Sequence, residues 1–178
     1  DSDKDGSSDK MENLLGLNTR QLNAIRGRQI GMIFQEPMTS LDPLYTIGQQ
    51  MAEPLMRHRG LGRAAAREES CRLLELVRIS EPRARLDAFP HELSGGQRQR
   101  VMIAMAIANA PRLLIADEPT TALDVTVQAQ VLELLAELKT RLGMAIAFIS
   151  HDLNLVRRFA DRVYVMHKGK VVEHGPIA

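Results

Sequence analysis

Aromatic side chains are scarce in this sequence. Its 178 residues contain four phenylalanines, two tyrosines and no tryptophan. Proteins that bind single-stranded nucleic acid stack its bases on aromatic rings, and this chain has few rings to offer. Its formal net charge of +1 is also far from the strongly basic balance that favours binding to phosphate backbones. The composition therefore argues against nucleic acid as a partner.

Cysteine and long apolar runs are almost absent as well. The single cysteine, Cys71, cannot form an internal disulfide bond, which favours a reducing, cytoplasmic setting. No apolar run reaches the roughly 18 residues that a membrane-spanning helix requires. We therefore expect any association with a membrane to be peripheral, on its cytoplasmic face, and to depend on a partner.

The first residues of the chain and its middle segment differ in composition and pattern from the rest. Residues 1–10 have no apolar side chain, which predicts a disordered lead or a remnant of cloning. Residues 38–92 carry helical patterns interrupted by prolines and show no convincing strand, so we interpret them as a helical lobe. Across the whole chain 44% of the residues are apolar, which is enough for one domain with a real core.

The remaining sequence alternates apolar strands with helices. Buried strands are predicted at residues 29–34, 113–116 and 144–149, and the continuous apolar run at residues 113–116 is typical of a strand buried on both faces. A long helix is predicted at Val125–Leu142, and a hairpin is predicted near the end of the chain. This order indicates the α/β class with a largely parallel sheet, in which ligands bind at the carboxyl ends of the strands.

A serine and two glycines directly precede a long apolar helix. Ser94, Gly95 and Gly96, followed by Gln97, would expose backbone N–H groups at a helix start, where the helix dipole attracts anions such as phosphate. The alternative is an ordinary helix with Ser94 as its N-cap. Taken alone, the three residues favour the alternative.

Polar side chains follow the predicted strands. Asp117 suits Mg²⁺, and Glu118 beside it can polarise an attacking water molecule. Gln35 can bind a metal ion or that water through its carbonyl oxygen, and His151 can hydrogen-bond a terminal phosphate. Taken alone, Asp117 and Glu118 are equally well explained as a polar strand end, and His151 and Gln35 are better explained as loop or strand-end residues. Only their combination favours a nucleotide site.

Five motifs in one order resemble the ABC-type ATPase family. They are a Q-loop at residues 34–37, a signature at residues 93–97, a Walker B motif at residues 113–118, a D-loop at residues 121–124 and a switch histidine at His151. The resemblance covers about residues 12–178. The runs at residues 34–43 and 90–100 are similar to the ATP-binding subunits of dipeptide, oligopeptide and nickel importers.

The resemblance implies a fold and its division. It implies a P-loop NTPase-like α/β core with a largely parallel sheet, formed by residues 11–37 and 109–178, into which an all-α signature lobe at residues 38–108 is inserted. It also implies the partners, namely a second ATP-binding subunit and transmembrane permease subunits. The resemblance does not indicate which molecule is transported, because substrate specificity resides in other subunits of such transporters.

The resemblance also implies roles for the candidate residues. The signature of one subunit would face the γ-phosphate of ATP held by the other. Glu118 would act as the base toward water, Asp117 would bind Mg²⁺, and His151 and Gln35 would lie at the γ-phosphate, with Gln35 a further metal candidate. Asp124 would cross the dimer interface, although an N-cap for the following helix is the stronger explanation for an aspartate there.

One motif of the family is missing from these 178 residues. The phosphate-cradling pattern Gly-x-x-x-x-Gly-Lys-Ser/Thr does not occur, and without it the main contacts to the β- and γ-phosphates are absent. We therefore expect this chain alone to bind ATP weakly and not to hydrolyse it. The alternatives are a non-catalytic interaction module that keeps the dimer and permease surfaces, and a soluble ABC ATPase. The soluble class would need a long heptad insertion that the sequence lacks.

Overall fold

The computed structural model describes residues 13–35, 40–121 and 123–177. The predicted lead at residues 1–10, the end of the Q-loop and Ala122 of the D-loop lie outside the described residues. The helices are α1 (Thr19–Ile25), α2 (Ile47–Arg59), α3 (Arg63–Leu76), α4 (Pro82–Arg85), α5 (Gly95–Ile107), α6 (Val125–Leu142) and α7 (Leu153–Phe159). The strands are β1 (Ile30–Ile33), β2 (Leu113–Asp117), β3 (Ala145–Ile149), β4 (Arg162–His167) and β5 (Lys170–Pro176).

The first three strands form one parallel sheet in the order β1-β2-β3. Ile33 pairs with Ala116, and Asp117 pairs with Ile149, so the three strands end close to the same level. This arrangement confirms the predicted parallel α/β sheet. It also brings the residues that follow the strands to one edge, since parallel strands share the side on which they end.

The sheet is buried on one face only, which corrects the prediction of strands buried on both faces. Gly31, Ile33, Leu114 and Ala116 are buried, while the intervening residues are partly or fully exposed. In β3 the residues alternate between exposed and half-buried along the whole strand. Helix α5 packs against β1 on the buried face, and exposed Met32 marks the other face. A continuous apolar run therefore did not indicate two-sided cover.

Residues 40–92 form helices joined by turns. Helix α2 starts with a capping box in which Thr46 and Gln49 each bond the other's backbone N–H, and it ends at Gly60 in a left-handed conformation. It buries Ile47, Met51 and Leu55 at the predicted helical spacing. Helices α2 and α3 pack against each other, and within residues 40–92 the described backbone contains no strand.

Helix α5 lies between the lobe and the sheet. It packs against α2 and α3 of the lobe and against β1 and α6 of the α/β part. The approach to β1 requires a glycine, because a Cβ on Gly31 would lie 2.3 Å from the carbonyl oxygen of Ala106. A single hydrophobic core therefore runs through both parts of the molecule.

The remaining elements follow the sequence signals closely. Helix α6 has Asp124 as its N-cap and left-handed Gly143 as its end, as predicted. Strands β4 and β5 form the expected antiparallel hairpin, with Gly169 in its turn. None of the helices in the described ranges is both long and apolar enough to cross a membrane.

Candidate functional site

Glu118 occupies the centre of the candidate site. It directly follows β2, and its backbone N–H donates to the carbonyl oxygen of Ile149 at the end of β3 over 3.0 Å. Its φ of 42° lies in the left-handed region, which residues other than glycine rarely adopt. The turn out of β2 thus holds Glu118 in a conformation that the surrounding hydrogen bonds have to maintain.

Three side chains hold the Glu118 carboxylate. Gln35 Nε2 donates to Oε2 over 3.1 Å, and the Thr121 hydroxyl donates to the same oxygen over 2.8 Å. His151 Nδ1 lies 2.9 Å from Oε1, a distance at which the ring N–H donates to the carboxylate. The sequence predicted that Gln35, Asp117 and His151 lie at one edge of the sheet, and the structure brings Gln35 and His151 each into direct contact with Glu118, the neighbour of Asp117.

The electrostatics of this cluster follow from the same contacts. The hydrogen bond from His151 lowers the pKa of the Glu118 carboxyl, and the hydrogen bond from Thr121 lowers it further. In turn, the hydrogen bond to Glu118 raises the pKa of the His151 imidazole. Glu118 is therefore held as a carboxylate, the form in which a glutamate can accept a proton.

Asp117 ends β2 next to this cluster. Among the described residues, none forms a hydrogen bond or an ion pair with its carboxylate. Mg²⁺ at phosphate-transfer sites commonly takes one or two protein carboxylates and completes its shell with water and phosphate oxygens. The described residues also contain no cluster of three or more acidic, histidine or cysteine side chains that could enclose a metal ion. A single uncommitted carboxylate beside Glu118 fits that open mode of binding.

The start of α5 is exposed rather than enclosed in the core. Ser94 and Gly95 are exposed, and Ser94 is the N-cap, with its hydroxyl accepting from the backbone N–H of Gln97 over 3.2 Å. The Gln97 side chain in turn accepts from the backbone N–H of Ser94 over 2.9 Å. The capping alternative is therefore confirmed, and the cap leaves Ser94 at the surface, where an anion can reach it.

The starts of α5 and α6 lie side by side. A Cβ on Gly96 would lie 2.8 Å from Val127 Cγ1, and one on Gly95 would lie 3.9 Å from the Leu123 side chain. Asp124 caps α6 by accepting from the backbone N–H of Val127 over 2.9 Å. Two helix N-termini, each with a partial positive charge, thus meet at one surface.

A cleft opens at the outer edge of β1, and residues of α5 also contribute to its lining. It has a volume of about 1160 Å³ and lies between α1, β1 and α2. Large apolar side chains at this cleft are exposed, including Leu15, Phe34 and Tyr45. Phe34 directly precedes Gln35, so the cleft adjoins the residue that contacts Glu118.

Thr121 is the residue that the sequence did not single out as chemically important. It lies within the D-loop, but its contact with Glu118 depends on the turn at residues 118–121, where the Thr121 N–H also donates to the Glu118 carbonyl oxygen over 3.2 Å. A hydroxyl residue three positions after a glutamate was the available signal. It is too common to carry a prediction without the turn.

The comparison with protein families assigns the chain. A family profile described as ABC transporter matches residues 7–121, which is more than half of the sequence. The chain belongs to the ABC transporter family. That match includes the signature, the Walker B motif and Thr121, and it confirms the resemblance that those motifs indicated.

Sequence relatives within the ABC transporter family are named as transport ATP-binding proteins. The peptidoglycan transport ATP-binding protein YejF of Agrobacterium fabrum is 63% identical over 166 residues, which are 93% of this chain and 30% of that protein. The oligopeptide transport ATP-binding protein OppD of Bacillus subtilis is 52% identical over 166 residues, which are 93% of this chain and 46% of that protein. The chain thus spans about half or less of the length of these relatives.

Solved structures of ABC cassettes share the fold. A dimeric, post-hydrolysis structure of the ATP-binding cassette MJ0796 with bound ADP and Pi is 32% identical, with a TM-score of 0.78. The match covers 92% of this chain and 69% of the cassette. A second dimeric structure of MJ0796, described as a bacterial ABC transporter cassette, has the same TM-score and covers 91% of this chain. These matches confirm the ABC-type α/β fold.

Proposed function

We propose that this chain is part of the ATP-hydrolysing subunit of an importer, with peptides as the favoured class of cargo. The contact of Glu118 with Gln35 and His151 at the carboxyl edge of a parallel sheet carries this proposal. It supplies an ionised carboxylate, an imidazole and an amide at one place, which suits general-base attack of water on a phosphoryl group. The names of the peptide and oligopeptide relatives support the cargo class.

Each residue of the cluster has a role in this proposal. Glu118 accepts a proton from the attacking water, and its lowered pKa keeps it ionised for that purpose. His151, whose side chain is 75% exposed, can turn from Glu118 toward a terminal phosphate. Asp117 would hold Mg²⁺, which supplies neutralisation of phosphate charge, and Gln35 would hold the water or the metal through its amide oxygen.

The second half of the site would come from another subunit. Ser94, Gly95, Gly96 and Gln97 present a helix start to solvent, and the start of α6 with Asp124 lies next to it. Two adjacent helix N-termini favour a multiply charged anion such as a triphosphate over a neutral ligand. In a head-to-tail dimer this surface would face the ATP of the partner subunit, and Asp124 would lie at the interface.

We further propose that the cleft between α1, β1 and α2 receives a permease subunit, which places the protein at the cytoplasmic face of the membrane. Its exposed apolar side chains suit a helix of a protein partner. Because the cleft adjoins Phe34 and Gln35, docking of a partner there would alter the position of Gln35 at the hydrolysis site. The lobe at residues 38–108 would then be the part that joins the permease to the α/β core.

The isolated chain should bind ATP weakly and leave it uncleaved. It lacks the lysine and the nest of amides that hold the β- and γ-phosphates in this family, so the residues above can complete a site but cannot hold the nucleotide alone. Isothermal titration of the 178-residue chain with ATP and Mg²⁺ should show no tight binding. Tight, stoichiometric binding would contradict this part of the proposal.

Complex formation with an intact homologous subunit, such as OppD of Bacillus subtilis, tests the signature surface. Size-exclusion chromatography should show a complex with this chain when ATP and Mg²⁺ are present, and Ser94→Glu should abolish it by placing negative charge against the γ-phosphate. Ser80→Glu, at another exposed serine, should leave it intact. A complex that forms without ATP and survives Ser94→Glu would instead favour the non-catalytic interaction module.

A further inference from the structure

A separate cavity lies at the edge of the sheet where the strands begin. It has a volume of about 1010 Å³, and its lining includes Arg28 before β1, Ala110 before β2 and Leu142 before β3. The residues of the Glu118 cluster follow the same three strands at their other ends, and none of them lines this cavity. A molecule in the cavity would therefore lie one sheet length away from the proposed hydrolysis site.

Both parts of the protein form the wall of this cavity. Helix α3 of the lobe contributes Leu73 and Leu76, while the ends of α5 and α6 contribute Ile107, Ala108 and Leu142. Three of these five residues are buried and two are half-buried, so the inner wall is apolar. Such a wall can cover the hydrocarbon part of a ligand, which is the larger part of the surface in most small-molecule sites.

Four arginines and two glutamates also line the cavity, and some of these charges already have partners. Glu69 accepts hydrogen bonds from Arg59 over 2.8 Å and from Arg72 over 3.0 Å. Arg59 also donates to the carbonyl oxygen of Ala108 after α5, over 3.3 Å. These three charged side chains are therefore bonded to one another and to the end of a helix.

Arg28 and Arg141 are the two remaining arginines. Among the described residues, neither guanidinium has a hydrogen bond or an ion pair. Arg141 lies in the last turn of α6, but that turn is already closed by the N–H of Gly143, which donates to the Lys139 carbonyl oxygen. Both guanidinium groups thus keep their five N–H donors for a molecule that enters the cavity.

We propose that this cavity binds a small organic anion with an apolar group, such as an aliphatic carboxylate. Arg28 and Arg141 would hold the charged end, because hydrogen bonds between guanidinium and carboxylate are among the stronger ones in proteins. The apolar wall would cover the chain of the ligand. Glu75 also lines the cavity, and its negative charge disfavours a ligand with two or more negative charges. This inference is independent of the proposed hydrolytic function.

Hexanoate is a suitable probe, because it combines one carboxylate with a short aliphatic chain. The 178-residue chain is titrated with hexanoate, hexylammonium, hexanol or inorganic phosphate, and the leucine and valine methyl groups are followed by NMR. The methyl groups of Leu76 and Leu142 report on the cavity, whereas those of Leu15 and Leu22 report on the cleft between α1, β1 and α2. Val127, beside Gly96, reports on the two helix starts.

We expect hexanoate to shift the Leu76 and Leu142 methyl resonances to saturation and to leave those of Val127 in place. Its affinity should exceed those of hexylammonium and hexanol by about tenfold, because only the carboxylate bonds to the arginines. Inorganic phosphate should bind more weakly than hexanoate, since it has no apolar part. Equal affinities of the three hexyl compounds, or no saturable shift with hexanoate, would overturn the proposal.

Substitutions of the two arginines test who holds the carboxylate. Arg28→Gln and Arg141→Gln remove a charge at exposed positions, and each should weaken hexanoate binding at Leu76 and Leu142 by about threefold to tenfold. Arg63→Gln is the matched control, because Arg63 is an exposed first residue of α3 that does not line the cavity, and it should leave the affinity unchanged. Full affinity in both Arg28→Gln and Arg141→Gln would refute the assignment.

This proposal and the proposed function can fail separately. The titrations contain no nucleotide, so a chain that does not bind hexanoate would lose the anion site and keep the proposed role in ATP hydrolysis. Failure of the ATP-dependent complex with an intact subunit would remove that role, while saturable shifts of Leu76 and Leu142 would still establish the anion site.

Discussion

The Glu118 backbone carries the most unusual conformation in the candidate site. Its φ of 42° places an ordinary side chain in the left-handed region, where the Cβ crowds the following carbonyl oxygen. Its N–H donates to the carbonyl oxygen of Ile149 and its carboxylate accepts from three neighbouring side chains, and these hydrogen bonds maintain this conformation. Strain of this kind tends to occur where a side chain has to be aimed at a ligand.

Replacing Glu118 by the two smallest residues measures that strain. Both Glu118→Gly and Glu118→Ala remove the carboxylate, but only glycine adopts a positive φ without steric cost. We expect the glycine variant to be more stable by about 0.5–1 kcal/mol in urea unfolding. At Val125, in the first turn of α6, the order should reverse and alanine should be the more stable. The same order at both positions would argue against backbone strain at Glu118.

The ion pair of Glu118 with His151 predicts a pH dependence. Because the folded pKa of His151 is raised, its contribution to stability is fully present below the unfolded value of about 6.5 and is lost as the pH rises through the folded pKa. Because the pKa of Glu118 is lowered, its contribution is present above the unfolded value of about 4.3 and is lost as the pH falls through the folded pKa. The pair should therefore stabilise the protein most between about pH 4.3 and 6.5.

An NMR titration of the histidine ring tests this assignment. Glu118→Gln keeps the hydrogen-bonding shape but removes the charge, so the pKa of His151 should fall toward its ordinary value. Glu173→Gln, on the exposed face of β5, should leave it unchanged. A His151 pKa that is the same in wild type and Glu118→Gln would contradict the contact.

At the scale of elements, α5 joins the lobe to the sheet and contains an unusual buried side chain. Gln99 is fully buried, and among the described residues neither its amide nitrogen nor its amide oxygen has a hydrogen-bond partner. A buried amide that makes no hydrogen bond costs stability. We expect Gln99→Leu to raise the free energy of unfolding by about 1 kcal/mol in urea denaturation. Gln128→Leu, at a half-buried position on α6, should change the free energy of unfolding little. If Gln99→Leu instead destabilises the protein, the Gln99 amide has a hydrogen-bond partner.

At the contact between α5 and β1, in contrast, we expect a substitution to destabilise the protein. A Cβ on Gly31 would lie 2.3 Å from the Ala106 carbonyl oxygen, which is backbone and cannot turn aside. Gly31→Ala should therefore lower the free energy of unfolding by about 1–3 kcal/mol. Gly175→Ala is a matched control in β5, since a Cβ there would meet no atom within 4 Å. Equal stability of the two variants would show that α5 can move away from the sheet.

The sequence predicted best those features that local chemistry decides. The ends of α6 follow from the Asp124 cap and from Gly143, and the start of α5 follows from Ser94 and Gln97, because capping needs only neighbours in the chain. The exposed residues of β3 do not follow from the strand's own sequence, because an apolar strand looks alike whether one or both of its faces are covered. The bond from Thr121 to Glu118 depends on a left-handed turn that no local signal specified.

At the scale of the whole molecule, parallel topology was enough to predict the centre of the site. Glu118 and His151 are 33 residues apart, yet Asp117 pairs with Ile149, so both chains leave the sheet at the same level. Gln35 reaches the same edge from β1. The proposed lobe at residues 38–108 is not sharply separated from the α/β core. Helix α5 lies within the lobe, yet it packs against β1 and α6 of the core as well as against α2 and α3.

The three donors on Glu118 have a consequence for a subunit at rest. An ionised carboxylate offers about four positions for hydrogen bonds, and Gln35, Thr121 and His151 already fill three of them. If Glu118 is the base, its carboxylate has few hydrogen-bonding positions left for a water molecule until at least one of these side chains turns away. Under the proposed function, the contacts that keep the base in place would also protect a subunit without cargo against idle consumption of ATP.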